Sequence, residues 1–343
     1  MTERASEFTS LPSVSLSRGS RGSRTALCCA IALGALLVFA PTIAGASTTN
    51  NLTQLFILML MAIGWNLIAG YGGMVSIGQQ AFIGFGSYAV LDLALHGVLA
   101  WYAVPIAIAL SAAISVPVSW LAFRLRGGYF AIGTWVIAEV FELVIAQQLS
   151  LGGGAGASLN DLNNLNPVTR DNITYWFALV LLVAALASTG FLLRSRLGLA
   201  LVSVRDDEHS AAATGVKVAF MKRIVFILSA AICGGAGALL IISNLEVQPN
   251  SSFSVEYSAF MIFMVLVGGI GTFEGPIIGA LIFFALQQWL AAYGTWYLVI
   301  LGAVAIVVTL WLPKGIWGTI DPHQRRSLVP LRHRAQFDGD QDK

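Results

Sequence analysis

The sequence predicts an all-α, polytopic membrane protein with about 8–10 transmembrane helices. Of its 343 residues, 57% are hydrophobic and only 10% are charged, and the mean hydropathy is +0.79. A soluble globular domain carries about 25% charged residues. Apolar runs of membrane-spanning length recur along the chain, and they are too many and too long for a soluble core. These observations exclude a soluble domain.

The chain begins with a polar segment, residues 1–25, which is rich in Ser, Gly and Arg. Such a composition cannot bury enough apolar surface to fold alone, so we expect a disordered cytoplasmic N-terminus. Residues 26–44 form the first apolar run, and it ends in a small-x-small pattern typical of signal-peptide cleavage sites. The run is longer than the usual signal-peptide core and many runs follow, which favours an uncleaved first span.

The remaining apolar runs predict nine further spans. Their approximate limits are 52–70, 74–93, 99–123, 128–148, 174–193, 222–243, 258–273, 276–292 and 295–312. Several are separated only by Gly or Pro turns, so a count of eight or nine with re-entrant pieces also fits. Residues 26–312 therefore form a transmembrane domain. Residues 313–343 form a cytoplasmic tail with basic and acidic residues, and its bases can contact anionic lipid.

The positions of the basic residues predict the orientation. With ten spans and the N-terminus inside, eighteen of the nineteen Lys and Arg lie on the inner side, and Arg170 is the exception. Lys and Arg concentrate on the cytoplasmic side of membranes, so both termini are expected in the cytoplasm. Segments 149–173 and 244–257 then lie outside. Each segment is long enough to contact a soluble partner. A solvated loop that only connects two spans explains the composition of each segment equally well.

The longest charged segment between two apolar runs is 194–223, with six bases and three consecutive acids. Glu and Ala favour helix, acids are stabilised at a helix start, and Gly suits a helix end, so we expect a short helix here. A charged helix beneath an apolar body suits docking to a soluble partner, and the alternative is a solvated surface. The candidate docking residues are Arg205, Asp206, Asp207, Glu208, Ala211, Ala212 and Gly215.

Polar side chains inside the apolar runs are candidates for a translocation path, because charges in lipid are costly and usually face protein or water. Glu139 and Glu142 lie on one helix face and can form a polar wall, meet a substrate ammonium, or join two helices. The Gly-rich segment 70–86 carries Ser and Gln, which can line a path without charge or bond neighbouring helices. The full candidate set is Trp65, Asn66, Ser76, Gln79, Gln80, Glu139 and Glu142.

The sequence lacks the motif of an ATP site. A phosphate-binding loop needs Gly-x4-Gly-Lys followed by Ser or Thr, and the Gly clusters at 152–156, 234–237 and 268–271 have no Lys. The four histidines show no zinc spacing, and the three cysteines lie in apolar runs. We therefore expect no enzyme activity, no metal or cofactor bound by this chain, and no nucleic-acid partner.

Three segments carry a family resemblance. They are Arg205-Asp206-Asp207-Glu208 with the following alanines and Gly215-Val216; Gly70 to Gln79 with Ala81-Phe82; and Gly268 to Pro276 with Gly279-Ala280. They resemble blocks of the branched-chain amino acid (LivM-like) permeases of ABC transporters, the first being the coupling loop. The resemblance spans roughly residues 50–320. The second and third segments also resemble each other weakly, since both are Gly-rich helix interruptions. Such interruptions in corresponding halves of a transporter can mark a substrate path.

The resemblance implies a permease subunit of an ATP-driven importer of branched-chain amino acids in a bacterial inner membrane. It implies two ABC ATPase subunits that bind ATP and Mg, a second homologous permease subunit and a periplasmic substrate-binding protein. Segment 194–223 would couple to the ATPase. Similar permeases carry urea, amides or other amino acids, and no residue decides among them. The alternative from another class is a stand-alone secondary transporter or channel, with Glu139 and Glu142 as coupling or selectivity groups.

The predicted orientation has a direct test. In a chain whose native cysteines are replaced, a single Cys at position 163 should react with an impermeant thiol reagent added outside. A single Cys at position 209 should react only after the membrane is opened. Labelling of position 209 from outside would overturn the orientation.

Overall fold

The computed structural model of the chain describes residues 14–17, 34, 37–43, 45–162, 165–290, 293–294, 296–312, 314–320 and 334–337. Helices dominate these ranges. The α-helices are α1 (Ala40–Ile43), α2 (Ala46–Asn66), α3 (Gln80–Leu95), α4 (Ala100–Ala122), α5 (Gly128–Ala146), α6 (Pro167–Arg194), α7 (Arg196–Asp206), α8 (Glu208–Ala213), α9 (Val218–Asn244), α10 (Pro249–Ser252), α11 (Val255–Gly268), α12 (Gly275–Leu290), α13 (Trp296–Trp311) and α14 (Gly315–Ile320).

Within the described ranges, seven helical segments are long and apolar enough to cross a membrane. They are Ala46–Tyr71, Ala100–Ala122, Gly128–Ala146, Pro167–Arg194, Val218–Asn244, Pro249–Gly268 and Leu298–Ile320. Helices α3 and α12 are apolar but shorter. These nine segments correspond to the nine spans predicted after the first, and they confirm an all-α polytopic protein. The predicted first span, 26–44, lies outside the described residues except for 34 and 37–43.

Helices α2 and α9 form the centre of the bundle, and most of their residues are buried. Small residues let α9 and α3 approach closely. A β-carbon added to Gly86 would lie 2.1 Å from the Gly234 carbonyl oxygen, and one added to Gly237 would lie 1.9 Å from the Ile83 carbonyl oxygen. Lipid provides little hydrophobic drive between helices, so close backbone approach of this kind supplies much of the packing energy.

Two Gly-rich segments interrupt the bundle. After α2 the chain makes a π-helical turn, Leu67–Tyr71, and then stays non-helical until α3 begins at Gln80, although the sequence predicted a span from residue 74. The second break, 269–274, ends α11 at Gly268, before the predicted limit at 273. Gly269 and Gly271 have φ of +129° and +71°, a region that Gly reaches most easily, and this explains the earlier end.

The short strands are β1 (Val14–Ser17), β2 (Ala157–Ser158), β3 (Glu246–Val247) and β4 (Arg334–Phe337). Strands β2 and β3 pair antiparallel, with Ala157 opposite Val247 and Ser158 opposite Glu246. This pairing ties together the two long segments predicted to lie outside. The 3-10 turns Leu149–Leu151, Gly153–Ala155 and Asn160–Leu162 complete the first of those segments.

The terminal segments are described only in part. Strand β1 pairs antiparallel with β4, and helix α14 follows α13 after a turn at Gly315, whose φ is +69°. The rest of the predicted N-terminal segment 1–25, and of the tail 313–343, lies outside the described residues. Their predicted character remains a prediction.

Candidate functional site

The charged segment 194–223 contains two consecutive helices, α7 and α8, between α6 and α9. The sequence predicted only the second of them. Leu201, Val204 and Ala211 are buried and belong to the larger apolar core. Apart from Ala211, residues 205–215 are exposed. We call residues 205–215 the coupling surface, after the coupling loop that this segment resembles.

Asp207 caps the start of α8, as the sequence predicted for an acid at this place. Its Oδ1 accepts hydrogen bonds from the backbone N–H groups of His209 (2.8 Å) and Ser210 (3.3 Å), and the Ser210 hydroxyl donates to Oδ2 (2.7 Å). These hydrogen bonds, led by that of the Ser210 hydroxyl, hold the pKa of Asp207 below its ordinary value. The cap is therefore a carboxylate at neutral pH.

Helix α8 ends at a glycine in the left-handed region, again as predicted. Gly215 has φ of +88°. The N–H groups of Gly215 and Val216 donate to the carbonyl oxygens of Ala212 (3.0 Å) and Ala211 (3.1 Å), the pattern of a Schellman end. A β-carbon at position 215 would meet nothing within 4 Å, so the backbone conformation alone restricts this position.

Two ion pairs order the charges of this surface. Glu208 pairs with Lys222 of α9, and Arg205 Nη2 lies 3.0 Å from Asp206 Oδ1. The Glu208 side chain remains 52% exposed while that of Lys222 is only 17% exposed. The exposed charge at the start of α8 is therefore mainly negative, and it complements a basic partner.

Arg205 links the coupling surface to the first Gly-rich break. Its Nη1 donates to the Gly70 carbonyl oxygen at 3.3 Å. A β-carbon at Gly73 would lie 3.4 Å from the Arg205 Cα, and one at Gly271 would lie 3.2 Å from its Nη1. The arginine thus touches both Gly-rich segments at once, and a displacement of α7 and α8 would reach them directly.

Asn66 holds the two breaks together. Its Nδ2 donates to the Thr272 carbonyl oxygen at 2.9 Å, and its Oδ1 accepts from the Gly271 N–H at 2.9 Å. A β-carbon at Gly70 would lie 2.2 Å from Asn66 Oδ1 and 2.6 Å from the Gly271 nitrogen. Only glycine leaves room for this contact. The two Gly-rich segments, which resemble each other weakly in sequence, are therefore in direct contact in the fold.

A buried polar cluster lies between the first break and the central helices. Trp65 Nε1 donates to the Ser76 carbonyl oxygen at 2.8 Å, and Gln79 Nε2 lies 3.4 Å from Ser76 Oγ. The Ser229 hydroxyl lies 2.6 Å from the Gly64 carbonyl oxygen and 3.3 Å from Gln79 Oε1. These hydrogen bonds fix the non-helical chain inside the bundle, where unpaired backbone groups would be costly.

Gln80 has a separate partner in α11. The Ser258 hydroxyl contacts Gln80 Oε1 and the Ile77 carbonyl oxygen, the latter at 3.0 Å. Gln80 and Ser258 are both fully buried, and Gln80 Nε2 has no hydrogen-bond partner. Among the described residues it is thus a buried amide N–H without a hydrogen-bond partner, an unfavourable arrangement.

The seven residues predicted for a translocation path fall into two groups. Trp65, Asn66, Ser76, Gln79 and Gln80 are all buried along the first break. Glu139 and Glu142 lie instead on α5, of which only Phe130, Thr134 and Ala138 are buried in the isolated chain. Glu139 is exposed and accepts a hydrogen bond from Trp135 Nε1 at 2.9 Å, whereas Glu142 is half-buried. The two groups do not form one site within this chain.

Sequence reasoning missed three partners of the buried polar cluster: Ser229, Ser258 and Thr134. All three are buried hydroxyl residues within apolar helices. Thr134 Oγ1 accepts from the Ile77 N–H at 3.3 Å. Ser and Thr in spans often bond across helices, so their presence was a usable signal, but the sequence does not show which helix each one faces.

A cavity of about 550 Å³ opens among α2, α9, α11 and α12, at the end of the bundle that carries β2 and β3. It is lined by Gln54, Ile57, Leu58, Met61, Leu240, Ser243, Asn244, Gln248, Asn250, Ser251, Ser254, Glu256, Tyr257, Phe260 and Gln287. Sequence analysis did not single out these residues as a group. Among the described residues, no cluster of His, Cys, Asp and Glu is suited to hold a metal.

The class of protein is a polytopic membrane permease. The features typical of this class are the membrane-spanning helices, the buried polar cluster and the charged surface at one end. The chain matches the family model described as "Branched-chain amino acid transport system / permease component" over residues 47–309, and it belongs to this family. The resemblance seen in the three sequence segments is thereby confirmed.

Curated relatives agree with this assignment. The chain is 26% identical to the high-affinity branched-chain amino acid transport system permease protein LivM of Escherichia coli, over 83% of this chain and 73% of the relative. It is 26% identical to BraD of Pseudomonas aeruginosa, a permease protein of the same description, over 78% of this chain and 94% of the relative. It is 25% identical to a probable LivM of Methanocaldococcus jannaschii, over 73% and 71%. No solved structure matches the chain.

The contact between the two breaks can be tested through Asn66. Replacement by Leu should destabilise the protein by about 2–4 kcal/mol, because the Gly271 N–H and the Thr272 carbonyl oxygen lose their partner. Asn66→Asp retains an acceptor for the Gly271 N–H but sets a buried carboxylate against the Thr272 carbonyl oxygen, so it should also destabilise the protein. Thermal unfolding in detergent measures both. If Asn66→Leu matched the wild type, the contact would have no structural importance.

Proposed function

We propose that this chain is a permease subunit of an ATP-driven ABC importer that carries branched-chain or chemically related amino acids across a bacterial inner membrane. Membership of the permease family supports the class, and the names of the relatives LivM and BraD support the substrate. The single observation that carries the mechanism is the contact of Arg205 with the Gly70 carbonyl oxygen, which connects a partner-facing surface to the interior.

In this proposal two ABC ATPase subunits bind ATP and Mg and dock on the coupling surface. The exposed carboxylates at the start of α8 favour a basic cleft on the ATPase. A soluble binding protein delivers substrate to the opposite end, where β2 and β3 join the two long outer segments. Both termini and the coupling surface face the cytoplasm, in agreement with the distribution of Lys and Arg.

The proposed coupling step is a movement of α7 and α8 that follows ATPase closure. Arg205 transmits the movement to Gly70 and Gly73, and Asn66 passes it to the second break through Gly271. Glycine-rich segments accommodate such a change because their backbones reach conformations closed to other residues. The buried polar cluster that includes Ser76 and Gln79 would then rearrange and open a route.

Glu139 and Glu142 support a role for a second permease subunit. A charged side chain at the centre of a span costs roughly 2.5–3.5 kcal/mol when it faces lipid. Glu139 is nevertheless exposed on α5 of the isolated chain. We propose that a second, homologous permease covers this face and that the two carboxylates line the route between the subunits.

The coupling surface is tested by reversing its charges. Glu208→Lys should abolish co-purification of the ATPase and uptake together, because a like charge would then face the basic partner. The variant also breaks the internal pair with Lys222. The double variant Glu208→Lys/Lys222→Glu restores an internal pair in reverse. If docking depends on Glu208, the double variant stays defective. Recovery of ATPase binding by the double variant would assign the loss to the internal pair instead.

A backbone variant probes the same surface independently. Gly215→Val should also release the ATPase, because φ of +88° is unfavourable for Val. Gly97→Val is the matched control: Gly97 has φ of +83°, nothing lies within 4 Å of an added β-carbon, and it follows α3 at the opposite end. ATPase recovery should fall for position 215 only. Normal recovery and uptake for both the Glu208 and Gly215 variants would remove the support for coupling at this surface.

A further inference from the structure

The cavity at the outer end has two chemically different parts. On α2, Gln54 lies nearest the outer end, and Ile57 and Met61 follow along the helix. On α11 the order is the same: Ser254 and Glu256 lie at the start of the helix, and Phe260 follows inward. The cavity therefore has a polar mouth and an apolar floor.

Glu256 is the charged residue among the described residues that line this cavity. Its side chain is exposed, and its backbone N–H donates to Ser254 Oγ at 3.2 Å, so the main chain from which the carboxylate projects is fixed at the start of α11. The one base of the predicted outer segments, Arg170, is paired with Asp171 at 3.2 Å. The mouth thus carries a negative charge that no basic residue in the lining balances.

The other polar groups of the mouth are neutral. Side-chain amides come from α2, α9, α12 and the residue before α10: Gln54, Asn244, Gln287 and Gln248. Side-chain amides donate to a carboxylate without adding a charge. One cavity therefore offers a carboxylate for a cation, neutral donors for an anion, and an apolar floor.

We propose that this cavity is a low-affinity receiving site for a zwitterionic amino acid with an aliphatic side chain. Glu256 binds the substrate ammonium, the side-chain amides of the mouth bind its carboxylate, and Ile57, Leu240 and Phe260 contact its side chain. The volume of about 550 Å³ lies within the range of small-molecule sites. This proposal rests on the proposed function and deepens it by assigning a place and a chemistry to substrate entry.

The position of the cavity connects it to the interior. Met61 on its floor is three residues from Gly64, whose carbonyl oxygen accepts from Ser229 in the buried polar cluster. Residues three apart on a helix lie on the same face. The Ser229 hydroxyl in turn lies 3.3 Å from Gln79 Oε1, so the cavity floor and the buried polar cluster are neighbours along α2. The receiving site is therefore the outer end of the route along α2.

The test measures equilibrium binding of radiolabelled L-leucine to the permease–ATPase complex in lipid nanodiscs, with the soluble binding protein omitted. Glu256→Gln keeps the shape and the backbone hydrogen bond and removes the charge. It should weaken leucine binding about 10- to 100-fold, the scale of a hydrogen bond to a charged group. Glu246→Gln is the matched control, because Glu246 is exposed on β3 in the same outer segment and does not line the cavity. It should bind leucine like the wild type.

Two further measurements sharpen the result. 3-Methylbutylamine retains the ammonium and the aliphatic chain, so it should compete with leucine in the wild type and lose that competition in Glu256→Gln. Leu240→Trp fills the apolar floor and should also reduce binding.

Equal leucine affinity of the Glu256→Gln and Glu246→Gln complexes would overturn the proposal, as would absence of binding in a wild-type complex that takes up leucine with its binding protein. If the complete system with its binding protein takes up no amino acid, the proposed function is wrong, and the receiving-site proposal, which rests on it, is wrong as well.

Discussion

The pair of hydrogen bonds from Asn66 to the second Gly-rich break is the constraint on which the inner end of the bundle depends. Each break leaves backbone N–H and C=O groups without helical partners, and where these groups are buried, as at Gly271, they need a partner from within the protein. One amide side chain has both a donor and an acceptor, so it satisfies both kinds of group at once. A side chain at Gly70 would occupy the space of the contact, and Gly271 has φ of +71°, which disfavours other residues.

Helix α2 connects this contact to the other functional features. Gln54 and Met61 line the outer cavity, Gly64 and Trp65 bond to the buried polar cluster, and Asn66 joins the breaks. From residue 54 to residue 66 a helix rises roughly 18 Å, more than half the thickness of a hydrocarbon core of about 30 Å. A single buried helix therefore connects the groups proposed to line the route within this chain, while the close Gly contacts of α3 and α9 hold the surrounding bundle around it.

The sequence predicted features whose cause is local. Composition and the length of the apolar runs predicted the all-α membrane fold. The acids before Ala211 predicted the cap of α8, and Gly215 predicted its end, because both features depend on neighbouring residues.

Features that depend on distant contacts were not predictable in the same way. The sequence around Asn66 does not indicate that Thr272 is its partner, and the sequence around Glu208 does not indicate its ion pair with Lys222. The cavity combines residues from α2, α9, α11 and α12, and its shape exists only after packing. Glu139 and Gln79, grouped by their polarity, lie on different parts of the fold because helix rotation decides which face a residue occupies.

The most direct test asks whether the coupling surface and the first break move as one body. Spin labels placed at Ala212, on the exposed side of α8, and at Val75, whose side chain is 54% exposed in the first break, report the distance between them. Pulsed electron paramagnetic resonance on the complete complex should give one narrow distance that is the same without nucleotide and in the ATP-trapped state. In the Arg205→Ala complex the distribution should broaden and shift between the two states. A wild-type distance that changes with nucleotide as much as the Arg205→Ala distance does would contradict transmission through Arg205.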